Sequence, residues 1–406
     1  MTYDFDKPTR RQGTNSYKWD DTPSAGNPSE TGKDIIPMWV ADMDFEVAPC
    51  ITNALRKRID HAIFGYTYVP ESYYEAVANW YERRHEWHVE RDWILYTSGV
   101  VPALSCAVKA LTMPGERVIV LTPVYNCFFS SIRNNGCEVA EVALKTVVTE
   151  VDSSAKMSGK GYSYEVDFEA FERTCADPKT TLFVLCNPHN PAGRVWTRGE
   201  LQQMGDICRR HHVRIVSDEI HCELVMPGHK FVPFGTIMGN EDVVLCSPSK
   251  SFNTAGLQIA NIICRDAETR RRIDRAININ EVCDVNPFGV IALQAAYNEG
   301  EPWLRELNAY IWKNYCDLRD FFAREMPRLR VYNLEGTYLV WVDITATNLN
   351  SDDLTERLWQ EKQVLVSSGT IYGKHDGEGF IRLNIACPRA RMMEGLERIS
   401  SVVNAI

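Results

Sequence analysis

Val243-Val244-Leu245-Cys246-Ser247-Pro248-Ser249-Lys250-Ser251-Phe252-Asn253-Thr254-Ala255-Gly256 is the stretch on which the fold turns. The apolar run Val243-Val244-Leu245 reads as a short buried strand. A lysine and two serines, Ser247 and Ser249, emerge together from its end. Open α/β sheets place their ligand crevice at such strand ends. An amine among hydroxyls suits an aldehyde that also carries a phosphate. The amine condenses with the carbonyl carbon, and the hydroxyls bind phosphate oxygens.

Two segments upstream make the reading specific. Asn187-Pro188-His189-Asn190-Pro191-Ala192-Gly193-Arg194 follows the apolar run Leu182-Phe183-Val184-Leu185. Val213-Arg214-Ile215-Val216-Ser217-Asp218-Glu219-Ile220-His221 is a further strand that ends on an acid. An Asn, an Asp and a Lys thus arrive in order at three strand ends. Pyridoxal 5'-phosphate needs this set. Its ring nitrogen wants a carboxylate, its phenolic oxygen a hydrogen-bond donor and its aldehyde a lysine.

More of the chain points the same way: Trp39-Val40-Ala41-Asp42-Met43-Asp44-Phe45, Gly65-Tyr66-Thr67, Ser98-Gly99-Val100-Val101-Pro102, Thr122-Pro123-Val124-Tyr125 and Phe380-Ile381-Arg382-Leu383-Asn384-Ile385-Ala386-Cys387-Pro388. On these residues the chain resembles the fold-type I pyridoxal-phosphate enzymes, the class I/II aminotransferase superfamily. Within it the chain is most similar to the C–S lyase branch, which holds cystathionine β-lyases of the maltose-regulon-modulator type and cystalysin-like cysteine desulfhydrases. The resemblance runs over nearly the whole length. It implies an α/β fold like that of aspartate aminotransferase, with a mostly parallel central sheet wrapped by helices and a smaller α+β lobe. The expected division is an N-terminal arm (1–48) joining the small domain, a large cofactor domain (49–300) and a small C-terminal domain (301–406). The resemblance also implies a homodimer with shared active sites.

The same resemblance assigns roles. Lys250 bonds the cofactor aldehyde and moves the α-proton, because burial and nearby cations can depress a lysine's pKa. Asp218 pairs with the ring nitrogen, and Asn190 donates to the phenolic oxygen. His221 stands where aminotransferases carry a tyrosine, as in the lyase branch; a partly buried structural histidine is the alternative. Tyr125 stacks on the ring and, with Tyr66 from the neighbouring subunit, joins Lys250 among the catalytic residues. The phosphate is expected on the N–H groups of Gly99, Val100 and Val101, the hydroxyls of Ser247 and Ser249, and Tyr66. Gln258 replaces an arginine common in aminotransferases, which removes a charge-assisted contact and matches the lyases. Arg382 is expected to clamp the substrate carboxylate in a bidentate fork, with Val40 and Ala41 supplying backbone contacts.

Composition bounds the alternatives. The chain has 406 residues and a net charge of −10, so overall it offers no basic footprint for nucleic acid. Its thirteen cysteines are odd in number and irregular in spacing, which reads as free thiols in a reducing cytosol. No signal peptide is expected from Met1-Thr2-Tyr3-Asp4-Phe5-Asp6, and no apolar run suits a membrane span. Strand–helix alternation from Trp93 onward argues for a parallel sheet. The polar segment Val151 to Tyr162 reads as a surface loop. Ser247-x-x-Lys250 also fits penicillin-recognising serine enzymes, but no Lys-Thr-Gly accompanies it. His85-Glu86-Trp87-His88 has the wrong spacing for a zinc motif and is expected toward the end of a solvated helix.

Three readings follow. The first is a lyase that cleaves a β-sulfur-substituted L-amino acid by α,β-elimination to thiol, pyruvate and ammonia. The second is an aminotransferase on the same scaffold. The third is a regulatory protein that sequesters a transcription activator, a second role of some lyase-branch relatives. No metal is expected in any of them.

Overall fold

The structure, a computed structural model, describes residues 2–21, 34–150, 160–279 and 284–406. Its main sheet has seven strands: β1 (Ile94–Thr97), β2 (Arg117–Thr122), β3 (Glu138–Ala143), β4 (Thr180–Cys186), β5 (Arg214–Asp218), β6 (Val243–Cys246) and β7 (Ala260–Ile263). Their order is β1-β7-β6-β5-β4-β2-β3. The pairs from β6 through β3 are parallel, and β7 runs antiparallel to both its neighbours. Two reversals in succession return β1 to the direction of β6. The C-terminal ends of β1, β4, β5 and β6 therefore share one edge.

The strands are apolar on both faces because both faces are covered. Alternation divides β6 between two cores, with Val244 and Cys246 in one and Val243 and Leu245 in the other. β4 divides likewise, Phe183 and Leu185 against Leu182 and Val184. Register then aligns the chemistry. Cys186 pairs with Asp218, and Asp218 pairs with Leu245, so the turns after β4, β5 and β6 begin at one level.

A second, antiparallel sheet has four strands: β8 (Arg330–Val331), β9 (Leu339–Asp343), β10 (Ser367–Ser368) and β11 (Phe380–Asn384), in the order β8-β9-β11-β10. The helices Glu301–Glu325, Ser351–Lys362 and Arg389–Val403 lie in the same part of the chain. Ile36–Pro37 pairs in parallel with Val364–Leu365. The chain then runs as a strap, residues 38–45, held by bonds from Asn384 N to Met38 O (2.8 Å) and from Asp44 N to Ala386 O (2.9 Å).

Two expectations need correction. Of the loop expected at 151–162, residues 151–159 lie outside the described residues, but Lys160–Glu165 is a strand paired antiparallel with Lys145–Glu150. That strand mixes Gly and Ser with Tyr162 and Tyr164, and both tyrosines pack against the core, Tyr164 stacked on Tyr332. His85 ends its helix (Glu71–His85), yet it is not solvated there. Its Nε2 lies 2.6 Å from the buried Glu223 Oε1. That carboxylate also accepts from Trp80 Nε1 and Arg84 Nη2, so its oxygens are engaged by the protein itself. The described cysteines are free. Among the described residues no helix is long and apolar enough to cross a membrane.

Candidate active site

A cleft of about 330 Å³ opens at the shared edge of the main sheet. Ser98, Gly99, Val100 and Val101 line it from the turn after β1, where the helix Val100–Leu111 starts with no side-chain cap. Its first N–H groups thus face an anion-sized space. Asn190 enters from the turn after β4, Asp218 and His221 from the end of β5, and Ser249 and Lys250 from the turn after β6. Tyr125 and Ala41 line it as well. Gly193 allows the Asn190 turn: its φ is +70°, and a Cβ there would meet Asn333 O at 3.1 Å.

Burial sets the electrostatics. Desolvation pushes the Asp218 carboxyl up to about 7, against the bond from Ile220 N to Oδ1 (3.1 Å) and the attraction of Lys250. A cationic N–H opposite Asp218 would restore the carboxylate. Desolvation also lowers Lys250 to about 8, with Asp42 opposing. Its Nζ donates to Ala41 O at 2.6 Å. His221 is held neutral by desolvation, reinforced by Lys250 and Arg382, and its buried Nδ1 has no partner among the described residues. Desolvation likewise keeps the Tyr125 phenol protonated.

Arg382 is buried on β11. It donates to Asn190 Oδ1 (3.1 Å) and Trp39 O (2.8 Å) and lies 4.7 Å from the centre of the Tyr372 ring. Its partners in the described residues are neutral, and its Nε has none. A buried guanidinium so placed favours an incoming carboxylate.

The structure thus brings together Lys250, Asp218, Asn190, His221, Tyr125, Ser249, Ala41, Gly99, Val100 and Val101. It does not bring all the expected residues to the cleft. The Ser247 hydroxyl donates to Ile259 O (2.6 Å) and accepts from Ser249 N (3.0 Å), so it shapes the turn. Val40 O accepts from Asn384 Nδ2 (2.6 Å) and is likewise committed. Tyr66 is 98% exposed and lies outside its own chain's cleft. Sequence reasoning missed Cys186, Ile220 and Ile259 in the lining. It also missed Asn253, which donates to Met43 O and Phe45 O and accepts from Met43 N. Its φ of +55° lies in the left-handed region, which Asn tolerates, but nothing in the sequence around it marks that role.

Glu219, beside Asp218, is buried as well. Its Oε1 accepts from Phe234 N (2.8 Å), Ser217 Oγ (3.0 Å) and Asn187 Nδ2 (3.3 Å), whereas Oε2 has no partner among the described residues. Desolvation raises its carboxyl to about 8. The folded pKa exceeds the unfolded one, so this group's stabilisation is full below the unfolded pKa and is lost as pH rises toward 8. Glu219→Gln, which mimics the neutral acid, should leave stability at about pH 4 nearly unchanged. At pH 9 it should raise stability by roughly 1–3 kcal/mol. Urea unfolding at both pH values measures this, and parallel wild-type and variant profiles would refute it.

The residues fit pyridoxal phosphate. A buried acid at the sheet edge, a buried lysine beside it and an uncapped helix start answer to its ring nitrogen, aldehyde and phosphate.

Comparison with known proteins agrees with this geometry. The family model for aminotransferase class I and II matches residues 33–399. Cystathionine beta-lyase PatB of Bacillus subtilis (strain 168) is 40% identical over 403 residues, covering 98% of this chain and 100% of that protein. Protein MalY of Escherichia coli (strain K12) is 30% identical, with 100% of each chain covered. The crystal structure of cystalysin from Treponema denticola, which contains pyridoxal 5'-phosphate, superposes with a TM-score of 0.90 at 34% identity, covering 100% of both chains.

Proposed function

The chain belongs to the class I and II aminotransferase family, and we propose that within it the protein is a pyridoxal-phosphate-dependent carbon–sulfur lyase acting on a β-sulfur-substituted L-amino acid. The observation that carries the reading is the convergence of Asn190, Asp218 and Lys250 at adjacent strand ends beside the buried Arg382. His221 in the cleft and Gln258, whose amide donates to Ala255 O (2.9 Å), support the lyase over a transaminase.

When bound, pyridoxal phosphate supplies a carbonyl that holds the substrate nitrogen and a protonated ring that accepts the electron pair from Cα. On this reading the protein's residues do the rest. Arg382 takes the α-carboxylate and fixes the orientation of the Cα–H bond. Lys250 removes the α-proton at Nζ. Asp218 would hold a proton on the ring nitrogen, Asn190 would donate to the phenolic oxygen, and Tyr125 would shield the ring from water. Gly99, Val100, Val101 and Ser249 hold the phosphate. The Cβ–S bond then breaks, the thiolate leaves, and the freed 2-aminoacrylate hydrolyses to pyruvate and ammonia.

The exposure of Tyr66 supports a homodimer in which the partner subunit's Tyr66 completes the site. The pairing of Ile36–Pro37 with Val364–Leu365 supports an arm (1–48) joined to the small domain (301–406), with the large domain (49–300) holding the cofactor. Free thiols support a reducing, cytosolic setting.

Incubation with L-cystathionine tests the function. Continuous pyruvate release is expected. A single turnover that needs added oxo acid to continue would assign transamination instead. Arg382→Leu should raise KM for the amino acid by about 100-fold, since it removes a charge-assisted carboxylate fork. An unchanged KM in steady-state kinetics would refute that role.

A further inference from the structure

Lys250 rests on the strap. Its Nζ donates to Ala41 O at 2.6 Å, and Tyr338 Oη donates to the same oxygen at 2.9 Å. Asp42 follows Ala41 in the chain. Its carboxylate sits in a fork, with Arg11 Nη2 on Oδ2 at 2.6 Å and Nη1 on Oδ1 at 3.1 Å. Both side chains are about four-fifths buried, so solvent screens the pair weakly. Asn384 Nδ2 donates to Val40 O and Asp42 O, and Asn253 bonds Met43. The strap is therefore fixed relative to Lys250, and so is the charge that it carries. Arg11 comes from the N-terminal arm and does not itself line the cleft.

Several groups act on the Lys250 amine. Asp42 is the strongest that favours its charged form, and Asp218 and Cys127 act in the same sense. Arg382 opposes them. His221 and Tyr125 face the cleft as neutral groups. Behind the strap Lys18 lies 3.7 Å from Asp42 Oδ1 and pairs with Asp44.

We propose that Arg11 and Asp42 are positioning residues that act on Lys250 through charge: Asp42 favours the ammonium, Arg11 offsets Asp42, and together they set the pH at which the amine becomes a nucleophile and base. The inference rests on Lys250 being the cofactor lysine. A purely structural strap clamp predicts that removing either partner disturbs Lys250 in the same sense. The charge role predicts opposite senses.

The test is cofactor capture by the cofactor-free protein. It is mixed with pyridoxal phosphate across a pH series, and the visible absorbance of the cofactor–lysine bond is followed. A neutral amine adds to the aldehyde and an ammonium does not, so the midpoint of the rate–pH curve reports Lys250. Asp42→Asn should move it about one unit toward acid, and Arg11→Met about one unit toward alkali. Arg11→Lys, which keeps the charge, should restore the wild-type midpoint. Shifts in the same direction, or none, overturn the proposal. If Arg11→Met does not fold, the isosteric Asp42→Asn decides, and an unmoved midpoint overturns the proposal. Lys250→Ala is the control. Capture by that variant would refute the cofactor-lysine reading itself, separately from the charge pair.

Discussion

Lys250→Ala is expected to lower pyruvate release from L-cystathionine by about 10⁴-fold or more, because the proposed function makes one side chain both nucleophile and proton carrier. Desolvation brings the amine to about 8, so near neutral pH a useful fraction is uncharged. Lys250→Arg should fail as badly, since a guanidinium stays protonated and cannot accept the α-proton. Neither change should unfold the protein. Among the described residues Lys250 Nζ makes one hydrogen bond, to Ala41 O. Pyruvate assays on variants that keep the wild-type circular dichroism measure this. A folded Lys250→Ala enzyme with near wild-type turnover would remove Lys250 from the mechanism.

Asp44→Ala should have the largest effect on stability, about 3–5 kcal/mol, because it strands a buried ammonium. Asp44 and Lys18 are both almost wholly buried, and they pair at 3.1 Å. The carboxylate also accepts from Trp19 Nε1 (2.9 Å) and Arg11 Nη1 (2.8 Å). Burial alone would raise this carboxyl's pKa, but Lys18, Trp19 and Arg11 outweigh burial and hold it below the ordinary value. The sign follows from that direction. Stability from this group is full above the unfolded carboxylate pKa and is lost as pH falls through the lower folded one. Urea unfolding at pH 7 should show the loss. Replacing both partners, Lys18→Met with Asp44→Leu, should recover most of it, because no unpaired charge stays buried. A single variant as stable as wild type would show that the pair is not holding the arm.

The paired predictions differ in how far the chain announces them. Lys250, Asp218 and Asn190 each stand within about four residues of the end of an apolar run. The run makes the strand, the parallel register levels the strand ends, and the chemistry follows from local order. In the second sheet β9 and β11 are long enough to carry a readable run, whereas the two-residue strands β8 and β10 are too short for a period to record which face is buried. The hairpin Lys145–Glu150 with Lys160–Glu165 escapes the sequence reading, because the core partners of Tyr164, Tyr332 and Trp341, come from far along the chain.

Lys18 and Asp44 give no such signal. Lys18 stands between Tyr17 and Trp19 and Asp44 between Met43 and Phe45, which names no partner for either, and a buried ion pair across 26 positions is made by where the strap crosses the arm. The His85–Glu223 contact spans 138 positions, which turned an expected solvated helix end into a buried pair. Ser247 shows the converse. Its place beside Lys250 suggested phosphate, but the return of β7 beside β6 presents Ile259 O, to which the hydroxyl donates its hydrogen bond.

By itself, the sequence determined the strands, their apolar faces and the order in which a lysine, an acid and an amide reach the sheet edge. These depend on neighbours a few residues apart, where backbone geometry is stereotyped. The tertiary structure decided which polar groups have spare hydrogen-bonding capacity, which charges are desolvated and what stands against Lys250. Those properties depend on atoms brought together from distant parts of the chain, and a side chain's protonation and partners are set by that enclosure.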